Sequence, residues 1–440
     1  MKTPINFFRG HPTSSLLPYG EIAEASVRVM RKFQERPDLY EFDGSDNRGP
    51  LEYGNDFGNT DIREIIAKWN DSWFKKSSYP FSETDVNVIN ITGGASSGAT
   101  TILNQCTHPK VTKQVFVVTP TYFLVNSLLI DAGLGGKLTA IEEDDQGQID
   151  LEELERLLLK YTDPDEKIPI DHDIMSDRVE GAADPSRAPR KFYRFAMYLI
   201  PTFSNPKGGV LDYEHREALV ELARKYDVLL ISDDVYDYLR YDGSELLPRL
   251  STIDRATRTS LYGNTVANCT FSKLVGPGLR VGWQETASPQ LTEILSQGGF
   301  VKSGGAAGQM SSFLVADLIT TGTIDKIIHH LNGVYQQRAN TLKHLLDTYL
   351  PKGTTYTGGN GGYFMWVTLP DEYDTRSIVK DLSANYDVLL ASGDKCEVEG
   401  DCRHWGLHSV RLCLSYLTEE EMTEGVKIWG RVCEAHIITG

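Results

Sequence analysis

The run Val228-Leu229-Leu230-Ile231 has no polar face, so a strand built from it must be covered on both sides. Val115-Phe116-Val117-Val118-Thr119 and Phe195-Ala196-Met197-Tyr198-Leu199-Ile200 are runs of the same kind. Strands buried on both faces belong to a parallel sheet with helices above and below it, and the stretches between them carry helical signals. Ile62, Ile65, Ile66 and Trp69 fall at offsets of three, four and seven, which predicts an amphipathic helix over 61–69. Asp150 is placed to cap a helix bearing Leu151, Leu154, Leu157 and Leu158, with Glu153 closing a capping box. Thr418 and Glu421 open a last helix through Met422, Val426 and Trp429. The fold class expected is α/β.

With 440 residues, 40% of them hydrophobic, the chain can bury a large core and is expected to divide into two domains. A formal net charge of −17 opposes a nucleic-acid partner, because phosphate-backbone binding draws on clustered basic residues. No run approaches the ~20 apolar residues of a membrane span. The N-terminus has neither an apolar signal core nor an Arg/Ser-rich transit pattern, so a cytosolic protein is expected. The six cysteines form no C-x-x-C pair, and neither a disulfide framework nor a zinc ribbon is expected. Cys396, Cys402, His404 and His408 cluster without H-E-x-x-H spacing, in a stretch of poor helical character. They predict a mobile loop near the active site rather than a metal centre. His329 and His330 read as a helix surface, and residues 161–190, rich in Asp, Pro and Arg, as an extended surface insertion.

The chemistry is concentrated in three places. In Thr270-Phe271-Ser272-Lys273, followed by Arg280, an amine stands beside two hydroxyls and ahead of a guanidinium, a set suited to an aldehyde cofactor carrying a phosphate, such as pyridoxal 5'-phosphate. The strand through Ile231 runs out into Asp233, with Tyr236 three residues on; a carboxylate there can keep a pyridine nitrogen protonated. The strand through Ile200 ends in an Asn205-Pro206 turn, whose amide can donate to a phenolic oxygen. Upstream, Val86 to Thr92 alternates apolar and polar residues and gives way to Gly93-Gly94-Ala95-Ser96-Ser97-Gly98 at the start of a helix, where free N–H groups and the helix dipole favour an anion. That loop has neither the Gly-Lys-Ser/Thr ending of a Walker A loop nor G-x-G-x-x-G spacing.

Together these residues resemble the fold-type I, pyridoxal-phosphate-dependent aminotransferases of class I/II, and within them the group that includes 2-aminoadipate and aromatic aminotransferases. The resemblance starts at Asn6-Phe7-Phe8-Arg9-Gly10-His11-Pro12, similar to the family's N-terminal G-x-P segment. It continues through Leu51-Glu52-Tyr53-Gly54 and Ile62-Arg63 and ends at Val410-Arg411-Leu412. It implies a large domain over 51–305 with a mainly parallel seven-stranded sheet, and a smaller α/β domain from 1–50 and 306–440. It implies that Lys273 is the Schiff-base lysine, that Asp233 pairs with the pyridine nitrogen, and that Tyr236 and Asn205 contact the ring oxygen. Tyr122 stacks on the ring, while Gly94, Ala95, Ser96, Thr270, Ser272 and Arg280 hold the phosphate end. Arg411, with Asn205, holds the substrate α-carboxylate, and Tyr53 reaches the phosphate of the neighbouring subunit of a homodimer. Ala95, Ser96 and Ser97 stand where the family has polar, often glutamine-containing residues, and Lys207 replaces the usual threonine after Asn-Pro.

The activity implied is ping-pong transfer of an amino group from an L-amino acid (2-aminoadipate, aromatic or similar) to a 2-oxo acid such as 2-oxoglutarate. Carbon–sulfur lyases and other Cα/Cβ-acting enzymes share every cofactor contact and are the main alternative. The ligand-sensing domain of a transcription regulator is a second one, and would need a basic reading module ahead of the fold. Arg9, His11, Arg28 and Arg48 lie where the family surrounds its substrate, and one of them is expected to recognise a distal carboxylate.

Overall fold

The computed structural model describes residues 4–41, 46–164, 169 and 172–437. Its main sheet has seven strands, which in chain order are β1 (Ile89–Thr92), β2 (Gln114–Thr119), β3 (Leu138–Glu142), β4 (Phe195–Leu199), β5 (Val228–Ser232), β6 (Thr265–Thr270) and β7 (Gly282–Thr286). They lie in the order β1-β7-β6-β5-β4-β2-β3. All pairings are parallel except those of β7, which runs antiparallel to both β1 and β6.

The apolar runs explain the layering. Phe195, Met197 and Leu199 of β4 join one buried cluster, and Ala196 and Tyr198 join the other. Along β5, Val228 and Leu230 face the first cluster and Leu229 and Ile231 the second. Period-2 alternation thus carries Asp233 to the Leu229–Ile231 side and Asp234 to the other. The ladder persists past the strand, since the Asp233 N–H donates to the Leu199 carbonyl at 2.9 Å.

A second, four-stranded antiparallel sheet in the C-terminal part contains Phe364–Thr368 and Ser409–Cys413 as neighbours, with Trp366 opposite Arg411. The N-terminal Ile5–Asn6 pairs in parallel with Val388–Leu389, which ties the first residues to this region. Helix Tyr19–Glu35 packs on helix Gln309–Thr320 through Phe33 and Phe313, edge to face at 5.3 Å.

Several local expectations change. Asp150 caps its helix by accepting from the Glu153 N–H at 2.9 Å, but the Glu153 carboxylate turns to Arg156 instead of closing the box. The Thr418–Glu421 capping box does form. Val86–Val88 is a 3-10 turn capped by Asp85, so β1 begins only at Ile89. The 161–190 segment is anchored: Ile174–Met175 pairs with Lys191–Phe192, and Lys191 bonds Asp173 and Asp227. Residues 165–168 and 170–171 of that segment lie outside the described residues. The loop around Cys396 is docked too, its Cys396 carbonyl accepting from the Thr121 N–H at 2.8 Å.

Candidate active site

The carboxyl ends of β1, β2, β4, β5 and β6 converge on one cavity of about 480 Å³, the usual place for a ligand in an open α/β sheet. Each strand end contributes a group because each chain turns sharply there. β1 delivers Ala95 and Ser96, β2 delivers Tyr122, β4 delivers Asn205, β5 delivers Asp233 and Tyr236, and β6 delivers Thr270, Ser272 and Lys273.

At the centre, the Lys273 amine faces the Gly10 carbonyl at 3.5 Å and stands 5.0 Å from the centre of the Tyr363 ring. Burial pushes its pKa below the ordinary lysine value, and the Arg411 and Arg280 cations act the same way. Asp233 is buried opposite. Its Oδ2 accepts from the Tyr198 hydroxyl at 2.7 Å and its Oδ1 from Asn268 Nδ2 at 3.0 Å. Burial lifts its pKa to about 6, against the pull of those two donors. A carboxylate buried with two neutral donors is poised to accept a cationic partner.

The Gly94 end of the cavity, where the sequence leads one to expect an anion, is built from backbone. Gly94 has φ +90 at the N-terminus of helix Ala95–Cys106, and a Cβ there would lie 3.3 Å from Arg280 Nη2 and 3.5 Å from Thr270 Oγ1. The pinch leaves free helix N–H groups beside a guanidinium and the Thr270–Ser272 hydroxyl pair, 3.0 Å apart. Asn268 Nδ2 also donates to the Ala95 carbonyl at 2.8 Å, so one side chain fastens this loop and Asp233 together.

Arg411 is only 4% exposed. Its Nη1 donates to Asn205 Oδ1 at 3.1 Å and its Nη2 to the Phe8 carbonyl at 2.9 Å, and its Nε is buried without a partner. Phe364 lies 4.3 Å from the guanidinium. Among the described residues no carboxylate pairs with it, although a buried guanidinium is costly without one. Asn205 is itself braced: Ser204 Oγ bonds Glu143 Oε1 at 2.9 Å, and Lys207 Nζ bonds the Glu143 and Asp144 carbonyls and Asp145. Lysine in place of threonine therefore pins the Asn205 turn to the end of β3.

The cavity gathers most of the residues singled out in the sequence. Arg9 and His11 also line it, whereas Arg28 is gripped by Asp317 and Arg48 by Asp46 outside it. Tyr53 is 82% exposed and belongs to a separate shallow depression with Gly54 and Phe300. Tyr198, Asn268, Phe8 and Phe364 were not singled out from the sequence. For Tyr198 a signal existed, since it shares a face with Ala196 and points toward the Asp233 side; for Asn268 nothing in β6 distinguished it from a core polar residue.

The donor set fits pyridoxal phosphate: a pinched glycine cradle beside a guanidinium, a buried carboxylate with no salt-bridge cation among the described residues, and a guanidinium nitrogen without a partner. Comparison with known proteins agrees. A family model described as aminotransferase class I and II matches residues 18–428, and the chain belongs to that family, which uses pyridoxal 5'-phosphate. It is similar to YER152C, an uncharacterized protein of Saccharomyces cerevisiae, at 40% identity over 447 residues, or 99% of this chain and 98% of the relative. It is also similar to aromatic-amino-acid aminotransferase 1 of Thermococcus litoralis, at 26% identity over 428 residues, covering 96% of this chain and 86% of that protein. Among solved structures, the multiple substrate aminotransferase from Thermococcus profundus matches with a TM-score of 0.77 at 23% identity, covering 99% of this chain and 92% of that one, which shows the shared fold-type I architecture.

Arg411, with no carboxylate partner among the described residues, gives a direct expectation. Arg411→Lys should raise KM and lower kcat together, because a lysine cannot hold a carboxylate bidentately or fix its orientation. Single-turnover kinetics with a good amino donor check this, and wild-type binding and rate would remove Arg411 from the site.

Proposed function

We propose that this protein is a pyridoxal-phosphate-dependent aminotransferase, moving the amino group of an L-amino acid (2-aminoadipate, aromatic or similar) to a 2-oxo acid such as 2-oxoglutarate by a ping-pong mechanism. The observation that carries this reading is one cavity holding a half-buried amine at Lys273, a buried carboxylate at Asp233 and a buried guanidinium at Arg411, the last two without a salt-bridge partner among the described residues. These are the needs of an amino acid bound to a cationic aromatic ring. When bound, the cofactor supplies an electron sink for the pair left as Cα loses its proton. Arg411 and Asn205 hold the α-carboxylate. Lys273, biased toward its neutral form by burial, takes the Cα proton and returns it one position along. Asp233 keeps the ring nitrogen protonated, and Tyr198 and Asn268 hold that carboxylate in place. Asn205 and Tyr236 would hold the ring oxygen, Tyr122 would cover the ring, and Gly94, Ala95, Ser96, Thr270, Ser272 and Arg280 would hold the phosphate.

The reading extends to a cytoplasmic homodimer with a large domain over 51–305 and a smaller one from 1–50 and 306–440. Tyr53 is exposed, as are Leu51 and Phe300, which supports a surface for a second copy in this reading. No helix among the described residues is long and apolar enough to cross a membrane.

A half-reaction tests the activity. Holoprotein mixed with a donor amino acid and no acceptor should release one equivalent of 2-oxo acid per site and stop until an oxo acid is added. Continuous release of ammonia without an acceptor would assign a lyase instead.

A further inference from the structure

We infer that Tyr363 is a positioning residue for the reacting amine, its hydroxyl fixing the backbone of Lys273 and its ring seating the Lys273 side chain; the inference deepens the aminotransferase reading and rests on it. The Tyr363 hydroxyl donates to the Lys273 carbonyl at 3.1 Å, and Lys273 Nζ lies over the Tyr363 ring, 5.0 Å from its centre. One side chain thus holds both ends of one lysine. Tyr363 is fully buried and stands outside the described residues that line the cavity, so it reaches the reacting atoms through Lys273.

The ring has no freedom to leave. Tyr335 meets it edge-on, with centres 5.6 Å apart and planes at 77°, while Tyr236 packs at 5.5 Å and Phe364 at 6.2 Å. The backbone is fixed on both sides: the Gly362 N–H donates to the Leu239 carbonyl at 2.8 Å, and the Tyr363 carbonyl accepts from the Leu414 N–H at 2.9 Å. Gly362 has φ +65, and a Cβ there would lie 3.0 Å from Phe203 Cβ and 3.4 Å from Tyr236 Cγ. Glycine at 362 lets the chain pass this close to Tyr236 and carry Tyr363 to the lysine.

Lys273 needs such a seat. The Gly10 carbonyl, at 3.5 Å, is too far to hold the amine firmly, and a lysine stem is flexible. An aromatic face within about 6 Å attracts a cation, so the ring also favours the protonated form of this nitrogen. It works with Cys413 and Asp233 and against burial, Arg411 and Arg280, which favour the neutral form. His11, its own pKa lowered by burial with help from Arg9 and Lys273, faces the amine from the N-terminal segment. In the proposed reaction the ring stabilises the ammonium formed when the amine takes the Cα proton.

Two variants separate the ring from the hydroxyl. Tyr363→Phe keeps the ring and loses the bond to the Lys273 carbonyl, whereas Tyr363→Met fills the space without a ring. In protein loaded with pyridoxal phosphate, the visible absorbance titrates with the proton on the lysine nitrogen. Tyr363→Met should move its midpoint down by about 0.5 to 1.5 pH units, the loss of one desolvated cation–ring contact, and Tyr363→Phe should leave it in place. In single-turnover measurements with a good amino donor, Tyr363→Phe should lower the limiting rate about tenfold and leave the donor concentration for half that rate unchanged. A residue that only fills the core would lower thermal stability in both variants and move neither reading. An unmoved midpoint in Tyr363→Met, equal midpoint shifts in both variants, or a wild-type limiting rate in Tyr363→Phe would each overturn the assignment; the last decides it should Tyr363→Met not fold. Because the midpoint needs no turnover, the expected shifts in a protein that fails the half-reaction would defeat the aminotransferase reading and leave the role of Tyr363 standing.

Discussion

Lys273→Ala is expected to abolish turnover while the protein still takes up pyridoxal phosphate, and no other single substitution should have so large an effect. In the proposed reaction the Lys273 amine accepts and returns the proton at Cα, biased toward neutrality by burial and by the Arg411 and Arg280 cations. Cofactor retention follows from the independence of the phosphate end: Gly94, the Thr270–Ser272 pair and Arg280 are positioned by backbone and by each other, with no bond to the Lys273 amine. Equilibrium dialysis of the variant against the cofactor, beside a turnover assay, separates the two. Residual turnover near wild type would exclude Lys273 as the proton carrier.

Asp233→Ala should cut the rate by several orders of magnitude with the fold intact, because a ring whose nitrogen is not held protonated is a poor electron sink. Its neighbour provides a contrast of a different kind. Asp234 points to the far side of the sheet, where Ser232 Oγ donates to it at 2.8 Å, and burial together with Asp237 raises its pKa. Arg249 near it is tied to Asp237 and Glu285. Asp234→Ala should therefore cost stability, about 1–3 kcal/mol as for other disrupted buried polar sites, and spare kcat. Thermal unfolding and steady-state kinetics on both variants decide it. A damaged rate in Asp234→Ala with a mild Asp233→Ala would mean that the faces of β5 are exchanged.

What could be read from sequence followed from how completely an element is buried. β2, β4 and β5 announce themselves because both faces are apolar. β7 does not: Gln284 and Glu285 interrupt it, and their partners, the Gly98 carbonyl and Arg249 with Arg255, are remote in the chain. Arg411 was legible only through the resemblance; that it is the third residue of Ser409–Cys413, and buried, follows from sheet pairing remote in the chain. The strand-end groups were legible because turn residues and ionisable side chains at the end of an apolar run have few structural uses. Asn268 was not, and Tyr198 only by the face it shares with Ala196, since their partner Asp233 is brought to them by the register of β4, β5 and β6. The Glu153 side chain went elsewhere because Arg156, one turn on, offers two donors where the cap offers one.

The most direct measurement is borohydride reduction of the holoprotein followed by peptide mapping. The account predicts that the cofactor becomes fixed to a single peptide, the one containing Lys273, with loss of the visible absorbance. Fixation at any other lysine, or none at all in protein that contains the cofactor, would contradict it.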